Sequence, residues 1–83
     1  MAKIIKTDGT EIAVTPKNGK DFKLEELQPI VGGYIEIVYL PGRFMVVNEE
    51  GKLMGLPING KASCIAGETI VGNVLVCDRK EIE

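Results

Sequence analysis

The chain has 83 residues, a mass of 9.0 kDa and a net charge of −2, with no histidine, no tryptophan and two cysteines. Because a fold of this size buries only about 60% of the surface that its unfolded chain exposes, we expect one domain with a thin core. The lack of histidine argues against most hydrolases and metalloenzymes, and the pI of 5.1 argues against a general binder of duplex nucleic acid. We therefore expect a single domain over residues 1–83, with no enzymatic activity, no metal and no cofactor.

The chain also lacks the signals of export and membrane insertion. Its apolar runs are far shorter than the ~20 residues that cross a bilayer, and its first residues lack the apolar stretch of a secretory signal. We expect a cytoplasmic protein without a membrane partner. Cys64 and Cys77 have no CxxC neighbour, so free thiols are favoured over a disulfide or a metal site.

The first predicted elements are a hairpin and a helix. Residues 2–6 and 11–15 are rich in β-branched residues, and the Asp8-Gly9 pair between them is typical of a tight turn. Residues 21–31 show helical spacing of apolar residues, and the Gly32-Gly33 pair is the C-terminal stop. Either Asp21 or Lys23 starts this helix, and Asp21 has the better capping side chain. The proline within this stretch predicts a short or kinked helix.

The second half of the chain predicts mainly strands. Residues 34–40 and 43–48 are almost wholly apolar, which favours two strands in the middle of a sheet with both faces covered. A glycine and a proline within residues 53–57 predict an edge strand or an extended segment. Asn59 could cap one short helical turn, residues 70–77 predict a closing central strand, and a charged tail follows.

These elements define an α+β fold. We expect a mainly antiparallel sheet of about four to six strands with one principal helix at about residues 21–31. Because a core this thin gains stability from a partner, we also expect a homo-oligomer.

Polar and aromatic residues beside the glycine-containing turns are the candidate ligand-binding residues. Arginine and lysine could bind phosphates, asparagine could read the edge of a base, and an exposed tyrosine could stack on it. The residues are Tyr34, Tyr39, Arg43, Asn48, Lys52, Asn59 and Lys61.

Carboxylates form a second group of candidates. Glu36 lies within an apolar strand, where burial would require a partner such as Arg43 or Lys52. The Glu49-Glu50 pair is more typical of a solvated turn than of a metal or acid–base site.

Four segments and one single residue carry a resemblance to a known family. They are residues 24–36 (LEELQPIVGGYIE), 46–53 (VVNEEGKL), 55–59 (GLPIN), Ala62 and 70–76 (IVGNVLV). In their order they resemble an uncharacterised small-domain family, a domain of unknown function, that is common in bacteriophages, prophages and plasmids. The resemblance covers about residues 22–77. It implies an accessory protein of a mobile element that acts in the cytoplasm of a bacterial host, and it brings no biochemical activity with it.

Two functional hypotheses follow from the residues and the resemblance. The first is a non-enzymatic protein that binds and sequesters a small anionic ligand, such as a nucleotide signal of host immunity, and so acts against host defence. The second is a protein–protein inhibitor of a host factor that uses a sheet edge or the acidic turn at residues 49–50.

Overall fold

The computed structural model describes residues 2–82 and shows a five-stranded antiparallel sheet with two α-helices. In chain order the elements are β1 (Ala2–Ile5), β2 (Glu11–Val14), α1 (Leu24–Val31), β3 (Ile35–Leu40), β4 (Arg43–Asn48), α2 (Gly60–Ala66), β5 (Val74–Asp78) and a 3₁₀ turn (Arg79–Glu81). The strand order across the sheet is β2-β1-β5-β4-β3. The predicted α+β class, with its antiparallel sheet, is confirmed.

The predicted opening hairpin is confirmed. β1 and β2 pair in an antiparallel register, and the turn between them contains Asp8 and Gly9. The Asp8 carboxylate accepts a hydrogen bond from the Thr10 amide at 2.8 Å, and Gly9 has a φ of 92°. The Asp-Gly pair therefore forms the predicted tight turn, because the aspartate side chain accepts from the turn backbone and only glycine adopts that φ without strain.

The second hairpin joins β3 to β4 through Pro41 and Gly42. β4 spans the predicted residues and lies between β3 and β5, which makes it an interior strand. The prediction that β3 is also interior is wrong, because β3 is an edge strand that pairs with β4 alone. The predicted central position of the last strand is confirmed, although β5 begins at Val74 rather than at Ile70.

Helix α1 covers one face of the sheet. Its buried Leu27 and Val31 pack with residues from the central strands, Val46 and Leu75 among them. The helix begins at Leu24 with Lys23 as its N-cap, so of the two predicted starts Lys23 is confirmed and the preference for Asp21 is wrong. The Asp21 carboxylate instead accepts a hydrogen bond from Asn18 at 2.8 Å, which leaves it turned into the preceding loop.

Helix α2 covers the other face, where sequence analysis predicted only a single turn. The amide of Ala62 donates to the side chain of Asn59, so Asn59 is the predicted cap, and the helix continues for seven residues. The buried Ala62 packs against a second cluster that includes Met45, Val47 and Val74. The prediction of one principal helix therefore missed the length of α2. A seven-residue helix with a single buried residue has almost no sequence periodicity by which to recognise it.

Two further segments differ from the predictions. The predicted edge strand at residues 53–57 is not formed: a series of turns covers residues 49–55, and residues 56–57 belong to neither a turn nor a strand. The following Ile58 makes an isolated bridge to Val71. The predicted charged tail is held to the body, because Phe22 and Ile82 form a parallel bridge. Among residues 2–82 there is no helix with the length and apolar character needed to cross a membrane.

Candidate binding site at a free sheet edge

The three cations predicted to bind an anion do not lie together. Arg43 begins β4 and Asn48 ends it, which separates the arginine from the loop that carries Lys52 by about 17 Å of strand. Lys61 lies on α2 near the opposite edge of the sheet, where its ammonium donates to the Gly9 carbonyl at 2.8 Å and contacts Glu11 at 3.2 Å. The fold therefore brings no two of these cations into one phosphate site.

The two predicted asparagines have internal roles. Asn59 has 0% of its surface exposed, and its amide nitrogen donates to the Ile5 and Gly72 carbonyls at 2.9 Å each. The amide nitrogen of Asn48 donates to the Val31 carbonyl at 3.0 Å, and Asn48 is 6% exposed. Since these side chains are buried and already hydrogen-bonded, we leave both out of the binding site.

The two predicted tyrosines are both exposed. Tyr34 is 64% exposed and lies beside Met54 and Gln28 at the end of α1. Tyr39 is 73% exposed on β3, where its ring meets Phe44 edge-on with the ring centroids 5.2 Å apart. These two side chains are available to a partner, although four residues of β3 separate them along the chain.

The outer edge of β3 has unpaired backbone groups. The Glu49 amide donates to the Tyr34 carbonyl at 2.8 Å, so the backbone of Tyr34 faces β4. Because this orientation alternates along a strand, the amides of Ile35, Ile37 and Tyr39 face away from β4. The edge therefore offers a row of donors and acceptors to an incoming strand.

A groove of about 520 Å³ runs beside this edge on the α2 side of the sheet. Its charged lining comprises three carboxylates, from Glu36, Glu49 and Glu68, and one ammonium, from Lys52. Among residues 2–82, none of the three carboxylates is in an ion pair. Glu36 is exposed rather than buried, so it does not need the ion-pair partner that burial would have required. We call this feature the acidic groove.

The loop of residues 49–56 forms one wall of the acidic groove. It is held by its own backbone, with Met54 donating to the Glu50 carbonyl at 2.9 Å and Leu56 donating to the Gly51 carbonyl at 3.1 Å. Gly51 packs so closely against Val71 that a Cβ there would be 2.8 Å from a methyl group of that valine. The wall is therefore tightly packed, and it holds the 88% exposed Leu53 at the mouth of the groove.

A second charged cluster ties the first hairpin to α2. Glu11 accepts from Lys3 at 2.9 Å and from Lys61 at 3.2 Å. The hydrogen bond from Lys3 and, to a smaller extent, the one from Lys61 hold the pKa of Glu11 below its ordinary value. This cluster joins β1, β2 and α2, and it holds the Lys61 ammonium at Glu11.

Replacing Glu11 with glutamine should make the protein less stable at pH 7. A lowered folded-state pKa stabilises the fold above the unfolded pKa, and that contribution is lost as the pH falls through the folded pKa. The stabilities of the wild type and Glu11→Gln should therefore converge in acid. Urea denaturation between pH 2.5 and pH 7 tests this, and a difference that persists at the lowest pH would contradict it.

The two free cysteines should differ sharply in reactivity. Cys64 is exposed on α2, whereas Cys77 lies in the core under α1, where burial and then the nearby Glu81 and Asp78 raise its pKa to about 12. Since the thiolate is the reactive form, a thiol reagent at pH 8 should label one cysteine in the native protein and two in urea. Mass spectrometry of the Cys64→Ser variant provides the control, because its native form should remain unlabelled.

Sequence reasoning missed the position of β3 and the exposed apolar residues of the loop. Leu53, Met54 and Ile58 are 88%, 54% and 65% exposed, and nothing in their local pattern distinguishes them from core residues. The one usable signal was the spacing of Glu36 and Glu49, because antiparallel pairing of the two strands brings these two carboxylates to one side of the sheet.

The chain is thus a small antiparallel α+β domain with one long free strand and an acidic groove beside it. It belongs to the family DUF3846, a domain of unknown function, whose profile matches residues 2–83. No curated protein and no solved structure matches the chain.

Proposed function

We propose that this protein is a non-enzymatic binding protein that captures an extended segment of another protein by adding it as a strand beside β3. The observation that carries the proposal is the six-residue free edge of β3. An exposed edge of this kind is a template for an incoming strand, and it supplies affinity through backbone hydrogen bonds.

The edge of β3 has few of the features by which proteins protect free edges. Short length, lysine, proline and bulges are the common protections. β3 contains no lysine or proline, and its single charge is Glu36. The other edge strand, β2, has only four residues, and the ion pairs of Glu11 lie at one end of it. We therefore assign the binding role to β3 rather than to β2.

The charges beside β3 favour a basic partner. With three carboxylates and one ammonium, the acidic groove would repel a nucleotide and attract a lysine or arginine side chain. The sheet-edge inhibitor is thus better supported than the anion-sequestering protein. The mobile-element setting implied by the resemblance suggests that the partner is a host protein in the bacterial cytoplasm, and we include this setting in the proposal.

Selection from a peptide library provides the test. Random twelve-residue peptides displayed on phage are selected against the wild type, and the enriched peptides are synthesised and assayed by calorimetry. We expect Kd values in the micromolar range, as is common for strand addition to a single edge. Hydrogen exchange of the complex should show new protection at the outward amides of Ile35, Ile37 and Tyr39.

Two variants at one position separate the backbone from the side chain. Ile37→Pro removes an outward amide that β4 does not use, and Ile37→Ala removes side-chain atoms but keeps that amide. We expect Ile37→Pro to weaken the selected peptides at least tenfold more than Ile37→Ala, with denaturation curves showing that both variants fold. A library without binders, or binders that protect other amides, would contradict the proposal.

The same protein preparation tests the remaining expectations. Calorimetry with cyclic and linear nucleotides should show no binding below millimolar concentration. A nucleotide that binds tightly would support the anion-sequestering function over strand capture. The homo-oligomer remains a prediction that sedimentation equilibrium checks. A dimer that is lost in Ile37→Pro would show that a second copy occupies the β3 edge.

A further inference from the structure

We infer that the segment captured by β3 alternates basic and apolar residues, with the basic side chains over the acidic groove and the apolar ones on the α1 side. This inference rests on the proposed function and specifies the chemistry of the partner. Its basis is that the two faces of the sheet differ in character along the edge of β3. Because the side chains of a strand alternate between faces, an added strand must match both faces at a period of two.

The α1 face of the edge is apolar. Ile35 and Ile37 are half-buried against the α1 core, and Tyr39 continues their row with 73% of its surface exposed. Directly opposite side chains on adjacent antiparallel strands have Cβ atoms about 5 Å apart, so every second residue of the partner would lie against this row. An apolar side chain there buries surface that is now open to water, whereas a charged one would lose its hydration.

The α2 face of the edge is acidic. Glu36 projects on this side, and Glu49 and Glu68 line the groove next to it. The half-buried Val38 lies on the same face, where it can pack against the methylene stem of a lysine or arginine whose charged end reaches the carboxylates. The intervening residues of the partner are therefore basic, and long side chains fit better than short ones.

Three designed peptides give a direct test: two have the same composition in a different order, and the third reverses the charge of the first. The first has the order Thr-Lys-Val-Lys-Val-Lys-Val-Thr, and the second has the order Thr-Lys-Lys-Lys-Val-Val-Val-Thr. A third has glutamate in place of each lysine of the first. Fluorescence anisotropy at 150 mM salt should show that the alternating basic peptide binds at least tenfold more tightly than the other two. This preference should disappear in Ile37→Pro.

A matched pair of charge reversals locates the basic face. Glu36→Lys changes the edge, and Glu25→Lys changes an exposed carboxylate on α1, away from the groove. We expect Glu36→Lys to weaken the alternating basic peptide by about tenfold and to strengthen its glutamate counterpart, with little effect from Glu25→Lys. Equal effects of the two reversals would overturn the assignment of the basic face, because they would reflect net charge alone.

The outcomes separate this inference from the function on which it rests. If the alternating and blocked peptides bind equally and both are lost in Ile37→Pro, strand addition stands and the alternation is wrong. If library peptides protect the β3 amides but show no alternation in their sequences, strand addition again stands and the alternation is wrong. If neither the library nor the designed peptides bind at β3, both the function and the alternation are overturned.

Discussion

Replacing Asn59 with aspartate should lower the free energy of unfolding at pH 7 by about 3–5 kcal/mol, the cost of an uncompensated buried charge. The change is nearly isosteric, but it removes the nitrogen that donates to the Ile5 and Gly72 carbonyls. It places a carboxylate oxygen against those two carbonyl oxygens in a site with no solvent exposure. Since small domains have stabilities of only about 5–15 kcal/mol, this loss is a large share of the total.

The pH dependence of Asn59→Asp identifies the cause. Burial and the facing carbonyls would raise the folded-state pKa of the new carboxyl above its unfolded value of about 4. The penalty is therefore small below that value and grows as the pH rises through the folded pKa. Chemical denaturation at pH 4 and pH 7 measures it. Asn73→Asp is the matched control, because the Asn73 side chain accepts from the Thr7 amide and an aspartate can still accept.

Replacing Asn48 with alanine should cost about 2 kcal/mol of stability, because a buried carbonyl and a partly buried amide lose their partner. The Asn48 side chain donates to the Val31 carbonyl at 3.0 Å and accepts from the Glu50 amide at 2.8 Å. It therefore connects the end of α1 to the loop that forms a wall of the acidic groove. We expect the amides of that loop to exchange faster in Asn48→Ala.

Denaturation together with hydrogen exchange checks this expectation. The control is Lys52→Ala, an exposed substitution in the same loop that should change stability by less than about 0.5 kcal/mol. If Asn48→Ala destabilises the protein without faster exchange in residues 49–56, the loop is held by its backbone bonds and the connecting role of Asn48 is wrong. A loosened loop should also weaken peptides bound at the acidic groove.

The elements that could be predicted from the sequence are those specified by neighbouring residues. Asp8 and Gly9 determine their turn without help from the rest of the fold, and Asn59 caps α2 through an amide three residues away. The start of α1 was misplaced at Asp21 because the Asp21 side chain, although a better cap by residue type, accepts a hydrogen bond from Asn18 in the preceding loop. Local chemistry therefore predicted the type of each element better than its boundary.

The candidate site depends on contacts that no local pattern contains. β3 and β4 have similar apolar sequences, and only the insertion of β5 on one side of β4 leaves β3 at the edge. Similarly, nothing in the local sequence distinguishes Asn48 and Asn59 from surface asparagines that hydrogen-bond a ligand. Their burial depends on where distant carbonyls, such as that of Ile5, lie in the folded chain. The carboxylates of the acidic groove also come from three separate segments.

The central place of β5 also bears on how the chain is made. β1 with β2, and β3 with β4, are hairpins between sequence neighbours, but β5 is the last of the five strands to be synthesised and lies between them. On the ribosome the two hairpins therefore have no common sheet until residues 74–78 leave the exit tunnel. Until then, the inner edges of β1 and β4 are exposed along with β3, so the nascent chain has more unpaired strand edge than the finished protein. A folding helper that shields strand edges would find the inner edges of β1 and β4 open only during that interval, whereas the edge of β3 stays open afterwards.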